Sequence, residues 1–221
     1  MDDDLQPRIA ILGAGPIGLE ATLYARYLGY PAAVLDRGTN AAANVIAEGD
    51  RQLAAPFGEC ASTLGVAALQ AQNPDWQCPS ATDRQTANEW YQGYLLPLAE
   101  SDLVSEVLRL ETTVIEIARG EDDADFQIRC RNSQDEDRVF EVDIILDATG
   151  INGSRTWFAD GDSDVELTFL NPESDYYVLG SKSRSDGEIT FLEGLAQIRD
   201  LFAILGERED LDVYATMPAI E

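Results

Sequence analysis

Residues 8 to 36 constrain the fold more than any other part of the chain. They begin with a short apolar run, Ile9 to Leu12, which is typical of a buried parallel strand, and three glycines spaced G-x-G-x-x-G follow it. From Pro16 the apolar residues recur at helical spacing, which predicts an amphipathic helix that ends before Gly29. A second apolar run, Ala32 to Leu35, ends in an aspartate. The order of strand, glycine turn, helix, strand and acid predicts one βαβ unit.

The glycines, the helix start and the closing acid of this unit each suit contact with a dinucleotide. Gly13 permits a tight turn, Gly15 lets the backbone approach a pyrophosphate, and Gly18 lets the helix pack closely. Unpaired N–H groups at the helix start favour a phosphate, and Asp36 can accept hydrogen bonds from ribose hydroxyls. A βαβ turn without a ligand is the alternative, and the motif does not separate FAD from NAD. The predicted cofactor-binding residues are Gly13, Gly15, Pro16, Ile17, Gly18, Asp36 and Arg37.

The charge of the chain limits its partners. It has 41 acidic and 15 basic residues, no histidine and a formal net charge of −26. Nucleic acid and anionic membrane surfaces would be repelled, so neither is expected to bind. We interpret the acidic residues as a solubilising surface, with the docking of a basic partner as the alternative.

The cysteines and the apolar runs indicate a compartment. No apolar run is as long as the roughly eighteen residues of a membrane span, and the acidic N-terminal residues are unlike a signal peptide. Three widely spaced cysteines argue for a reducing compartment and against a disulfide framework or a metal site. These features predict a cytoplasmic protein without a metal.

A long segment with no clear periodicity follows the βαβ unit. Residues from about 37 to about 105 are predicted to form an insertion of loops and short helices, with helices near residues 44–48 and 63–72. A longer helix is predicted to be capped by Thr82 or Asp83, and Pro97 is expected to kink it or end it early.

Short strands and a final helix make up the rest of the chain. Three alternating segments predict a three-stranded antiparallel meander, and two buried strands then end in glycine motifs. A helix with a clean apolar stripe precedes an acidic tail, residues 207–221. The predicted strands are Thr112–Ala118, Phe126–Arg131, Arg138–Val142, Asp143–Asp147 and Tyr176–Leu179, and the predicted helix runs from Phe191 to Leu205.

Three spaced segments resemble the FAD-binding part of the two-dinucleotide-domain flavoproteins, which include flavin-containing monooxygenases and pyridine nucleotide-disulfide oxidoreductases. The segments are GAGPIGLEATLYARYLG with VLDRG, then DIILDATG, then DYYVLGSKSRSDGEITFLEGLAQIRDLF. The resemblance implies an α/β fold with a doubly wound Rossmann-type parallel sheet and an antiparallel meander, the FAD/NAD(P)-binding fold, as one domain over residues 1–221. It also implies FAD as cofactor, held in addition by Thr149, Gly150, Gly180, Phe191 and Leu192.

Two departures from that family matter. The family normally places an NADPH domain between the second and third segments, but the stretch between Gly150 and Tyr176 is shorter than the roughly 30 residues of one βαβ unit. We therefore predict that the NADPH domain is missing. The chain also has no Cys-x-x-Cys, which excludes dithiol chemistry of the thioredoxin-reductase kind.

A flavin supplies its own redox chemistry, so a chain without histidine can still be a flavoenzyme. The prediction is an FAD-dependent oxidoreductase that resembles the monooxygenases, acts on a small molecule and receives electrons from a separate reductase or from a transiently bound donor. The alternatives are a non-catalytic FAD-binding module, one subunit of a two-chain flavoenzyme, or a site that is empty or binds NAD. No oligomeric state is predicted.

The sequence leaves the catalytic residues unknown, with three candidates. Cys60 is a reactive thiol or a small buried residue, and Ser62 lies in the same loop. Lys182, the only lysine, is a cation near the flavin or a surface side chain.

Overall fold

A computed structural model describes residues 6–120, 125–151, 153, 174–184 and 186–220. Its strands are β1 (Ile9–Leu12), β2 (Ala32–Leu35), β3 (Leu108–Arg109), β4 (Thr112–Arg119), β5 (Phe126–Asn132), β6 (Asp137–Val142), β7 (Ile144–Asp147) and β8 (Tyr176–Val178). Its α-helices are α1 (Pro16–Tyr27), α2 (Ala43–Ile46), α3 (Thr63–Gln72), α4 (Ala87–Trp90), α5 (Leu96–Glu100), α6 (Asp102–Ser105), α7 (Phe191–Leu205) and α8 (Val213–Thr216).

Five strands form a parallel sheet in the order β3-β2-β1-β7-β8. The central strand β1 pairs with β2 on one side and with β7 on the other, so that Ile11 lies opposite both Val34 and Leu146. The chain leaves β1 through α1 toward β2, and it reaches β7 only after the meander. A crevice therefore opens at the carboxyl end of β1, where an open α/β sheet binds its ligands.

The two faces of the sheet are covered by different layers. Alternate residues of β1 point to opposite faces, so Ile11 packs with the helices while Leu12 packs with the meander β4-β5-β6. Phe126 and Ile128 of the meander are fully buried against that second face. The predicted α/β class, parallel sheet and antiparallel meander are confirmed.

The helix predicted to follow Thr82 or Asp83 begins later than expected. Thr86 is its N-cap, in a capping box with Glu89, and the segment before it is held extended against residues 52–57. The helix then widens into a π-helical turn, Tyr91–Leu95, and continues past Pro97 to Glu100. The predicted cap was therefore wrong, and the helix passes through the proline.

Pro97 is tolerated because its missing N–H is compensated. In a regular helix that N–H would bond to the carbonyl oxygen of Gly93. Here the indole Nε1 of Trp76 donates to the Gly93 oxygen at 3.0 Å. A side chain from the preceding loop thus replaces the lost backbone bond.

The C-terminal segment packs on the helical layer. The backbone N–H of Val213 donates to the Tyr24 hydroxyl at 3.0 Å, and Thr63 Oγ1 donates to the carbonyl oxygen of Tyr214 at 2.7 Å. The short helix α8 is thereby fixed to α1 and α3.

None of the helices in the described part of the chain could span a membrane.

Candidate cofactor site

The glycine loop after β1 is closely packed at two of its three glycines. Gly13 has a φ of +95°, and a Cβ there would lie 2.9 Å from the carbonyl oxygen of Ala148. A Cβ on Gly18 would lie 1.9 Å from the carbonyl oxygen of Gly13. Only glycine fits at either position, because the loop, the helix start and the end of β7 meet there.

The third glycine faces open space. The nearest atom to a Cβ on Gly15 is Asn44 Oδ1, at 3.9 Å. Gly15 is the N-cap of the 12-residue helix α1 and supplies no side-chain cap to it. The space beside Gly15 and the uncapped N–H groups of the first turn therefore form a cradle that fits a pyrophosphate.

Asp36 closes one side of this cradle from the end of β2. Its Oδ2 accepts the backbone N–H of Ala14 at 2.6 Å, and its Oδ1 accepts that of Gly38 at 2.6 Å. A carboxylate oxygen accepts more than one hydrogen bond, so both oxygens retain capacity for a ribose hydroxyl. The neighbouring Arg37 is exposed.

The ends of β7 and β8 lie on the other side of the loop. Gly150 and Gly180 both have left-handed backbones, with φ of +72° and +69°. Ile17, in the first turn of α1, packs against both Gly180 and Gly194. We call the carboxyl ends of β1, β7 and β8, with Gly13, Gly15, Gly18, Gly150 and Gly180, the glycine edge.

The start of α7 is held at this edge by Gln197. Its Oε1 accepts the backbone N–H of Gly180 at 2.8 Å, and its Nε2 donates to Ser183 Oγ at 2.8 Å. Phe191 packs edge-on against Trp90 with ring centroids 5.7 Å apart, while Leu192 is 45% exposed. The structure thus brings the predicted cofactor-binding residues of all three segments to neighbouring positions.

The structure gives Cys60 and Ser62 packing and capping contacts. Cys60 is buried, and burial raises the pKa of its thiol to about 11, so the thiolate is disfavoured. The hydroxyl of Ser62 caps α3 by accepting the N–H of Gly65 at 2.8 Å. Neither arrangement activates a nucleophile.

Lys182 is buried, so the interpretation of it as a surface side chain was wrong. Its side chain is only 3% exposed and forms an ion pair with Asp147, which is fully buried. It lies in a 3₁₀ turn, Gly180–Ser183, directly after β8. Asp147 could not be singled out from the sequence, because an acid that ends an apolar strand resembles a solvated strand end.

A second buried acid was also missed by the sequence interpretation. Glu20, on α1, is fully buried and its Oε1 accepts the Tyr94 hydroxyl at 2.5 Å. The Tyr94 oxygen also accepts the backbone N–H of Ser62 at 3.0 Å. Burial raises the pKa of Glu20 to about 7, although hydrogen bonds from Tyr94 and Ser62 act to lower it. We call Glu20, Tyr94 and Ser62 the buried carboxyl cluster.

A cavity of about 370 Å³ opens between the Gly58–Thr63 loop, α7 and the C-terminal segment. Its walls are mainly small and apolar side chains, with Leu192 and Leu195 on the α7 side. The polar residues of its lining are Ser62, Thr63, Arg199, Asp212 and Tyr214. This shape and lining suit a small, largely apolar molecule.

Known structures share this fold. OTEMO in complex with FAD and NADP superposes with a TM-score of 0.51 at 18% identity, over 70% of this chain and 27% of OTEMO. The bacillithiol disulfide reductase Bdr from Bacillus cereus gives 0.53 at 14% identity, over 79% of this chain and 48% of the reductase. The chain shares with these two proteins a Rossmann-type α/β fold, with a parallel sheet and a separate antiparallel meander.

An oxidised steroid monooxygenase bound to NADP has a TM-score of 0.50 at 16% identity, over 64% of this chain and 26% of that protein. The chain thus spans less than half the length of each of these three structures. No protein-family model matches the sequence, and no curated protein matches it. The stretch between Gly150 and Tyr176, on which the prediction of a missing NADPH domain rests, lies mostly outside the described residues.

Proposed function

We propose that this protein is an FAD-dependent oxidoreductase that binds FAD along the glycine edge. The observation that carries the proposal is the open cradle at Gly15, around which three separate strand ends converge. A simple NAD domain would need the first βαβ unit but neither the meander nor the closing β8–α7 segment. The likeness to structures solved with FAD supports the same cofactor.

The chain's own residues would bind and orient the cofactor. The first turn of α1 would hold the pyrophosphate, Asp36 would accept ribose hydroxyls, and Leu192 at the start of α7 would approach the flavin. Bound flavin supplies the redox chemistry. The cavity beside Leu192 would hold a small-molecule substrate.

The electron donor is proposed to be external. The stretch between Gly150 and Tyr176 is too short for a nicotinamide domain of the usual kind. A separate reductase, or a reduced small molecule that binds transiently, would then deliver electrons. In stopped-flow mixing, NADPH should reduce the protein slowly and without saturation, whereas dithionite should reduce it normally. Fast, saturable reduction by micromolar NADPH would contradict an external donor.

A non-catalytic flavin module is the second candidate. It is favoured by Cys60 and Ser62, whose contacts serve packing and capping rather than chemistry. Steady-state oxygen consumption with a supplied reductase distinguishes the two, because only the oxidoreductase should turn over faster when a substrate fills the cavity.

Titration of the Gly15→Val variant with FAD tests the proposed site. The backbone of Gly15, with φ −71° and ψ 179°, suits valine, and no protein atom lies within 3.9 Å of the new Cβ. The fold should therefore survive, while the branched side chain fills the cradle and abolishes FAD binding. Gly93→Val is a matched control, since a Cβ at Gly93 also meets nothing within 4 Å but lies in the helical insertion. Wild-type affinity in Gly15→Val would place the site elsewhere.

A further inference from the structure

Asp147 accepts several hydrogen bonds from described residues at the glycine edge. Its Oδ1 accepts the backbone N–H of Thr149 at 3.1 Å and the Thr149 hydroxyl at 2.6 Å. Its Oδ2 accepts the Tyr176 hydroxyl at 2.6 Å and pairs with Lys182. One buried carboxylate thus ties together the ends of two neighbouring strands.

Lys182 contacts the same turn from the other strand. Besides Asp147, its Nζ donates to Thr149 Oγ1 at 3.3 Å. The Thr149 hydroxyl therefore donates to Asp147 and accepts from Lys182, which fixes its orientation. Because its proton already goes to Asp147, Thr149 offers no hydroxyl donor to a phosphate.

The turn held in this way lies directly against the phosphate cradle. The carbonyl oxygen of Ala148 and the Cα of Thr149 are the atoms that a Cβ on Gly13 would meet first, at 2.9 and 3.0 Å. Movement of the Thr149–Gly150 turn would therefore move the wall of the glycine loop. The Gly180–Ser183 turn that carries Lys182 is itself anchored to α7 through Gln197.

We propose that Lys182 is a positioning residue of the cofactor site, which acts through Asp147 to hold the Thr149–Gly150 turn against the Gly13 loop in the geometry that binds FAD. This inference rests on the proposed function. Lys182 acts through its contacts with Asp147 and Thr149. Lys182 contributes to binding by preorganising the loop. Loss of Lys182 should therefore lower the affinity for FAD even in a well-folded protein.

A buried ion pair is a poor source of stability, which makes positioning separable from folding. Removal of one partner leaves a buried charge and is strongly destabilising, but replacement of both by apolar residues of similar volume is often neutral or stabilising. The Lys182→Met/Asp147→Leu double variant, made together with Tyr176→Phe because the Tyr176 hydroxyl also donates to Asp147, should therefore keep a near wild-type Tm. Because this variant lacks the hydrogen bonds that Asp147 and Lys182 make to Thr149, its affinity for FAD should be lower than that of the wild type.

The experiment measures FAD affinity by flavin fluorescence and Tm for five proteins: wild type, Lys182→Met, the double variant, Thr149→Val and Arg131→Met. Lys182→Met should lower both Tm and FAD affinity, whereas the double variant should recover Tm and still bind FAD tenfold or more weakly, on the order of one charged hydrogen bond. Thr149→Val leaves the ion pair intact and should lower the affinity for FAD to a similar extent. Arg131→Met breaks an exposed pair with Asp137, 2.7 Å apart in the meander, and should change neither quantity.

The outcomes separate this inference from the proposed function. A double variant with both wild-type Tm and wild-type affinity would overturn the positioning role, because the pair would then serve stability alone. If the double variant does not fold, Thr149→Val becomes the deciding variant. A lower affinity for FAD supports the positioning role of Lys182, and a wild-type affinity overturns it. A wild-type protein that takes up no FAD would overturn the proposed function and this role together.

Discussion

The glycine edge includes Gly15 and Gly18 at the N-terminus of α1, and the buried carboxyl cluster includes Glu20 on the same helix. The two regions are built in opposite ways. At the edge, backbone atoms approach so closely that side chains are excluded, as at Gly18, where a Cβ would lie 1.9 Å from a carbonyl oxygen. In the cluster, Glu20 and Tyr94 fill the interior with polar side chains from distant parts of the sequence. The geometry of the glycine edge therefore depends on the absence of side-chain atoms, whereas the cluster depends on a proton that Glu20 keeps.

The largest expected effect is at Gly18. Because its Cβ would overlap a backbone oxygen, Gly18→Ala should reduce the free energy of unfolding by at least about 3 kcal/mol. Gly93→Ala, in open space within a helix, should be neutral or slightly stabilising. Urea unfolding of both variants checks the contrast, and a stable Gly18→Ala would contradict the packing of the loop.

The stability that the buried carboxyl cluster contributes should depend on pH. Burial raises the pKa of Glu20 from an ordinary 4.5 to about 7, so between these values the folded state binds the proton and the unfolded state releases it. Stability should therefore fall as pH rises from about 4.5 to 7, by about 3 kcal/mol from this group. Glu20→Gln carries no titrating proton and should lose that part of the pH dependence in urea unfolding at pH 5 and pH 8.

The Tyr94 hydroxyl offers a finer test of the cluster. Its hydrogen bond lowers the pKa of Glu20, so Tyr94→Phe should raise that pKa further and shift the fall in stability to higher pH. The lost bond should also destabilise the protein by about 2 kcal/mol. A pH profile that does not move would show that Tyr94 does not contact the carboxyl group.

At the edge, Asp36 should affect the ligand more than the fold. Asp36→Ala removes the acceptor for ribose and should weaken FAD binding by about 1.5–3 kcal/mol, with a smaller loss of Tm from the bonds to Ala14 and Gly38. Titration of FAD and of isolated riboflavin separates the adenosine contribution. Equal losses for both ligands would contradict contact with ribose.

The smallest effect tests the corrected helix start. Thr86 caps α4, whereas the Thr82 hydroxyl lies 3.2 Å from the Ser80 hydroxyl and caps nothing described. Thr86→Ala should cost about 1 kcal/mol and Thr82→Ala close to none in thermal unfolding. The reverse order would restore the start predicted from the sequence.

The sequence predicted the local parts of this molecule well. β1 and β2 match the predicted bounds, as does α3 from Thr63 to Gln72, because caps, glycines and apolar spacing act within a few residues. The start of α4 was misplaced because Leu53 and Phe57 bond to the backbone of Gln85 and Asp83, a long-range pairing that sequence does not reveal. The partners of Glu20 and Lys182 were missed for the same reason, since Tyr94 and Asp147 lie far away in sequence.

The visible absorption spectrum of the purified protein, with mass identification of any released cofactor, tests the central claim most directly. We expect a flavin spectrum and release of FAD, or stoichiometric uptake of added FAD that excess NAD does not displace. A colourless protein that binds NAD tightly and takes up no FAD would contradict it.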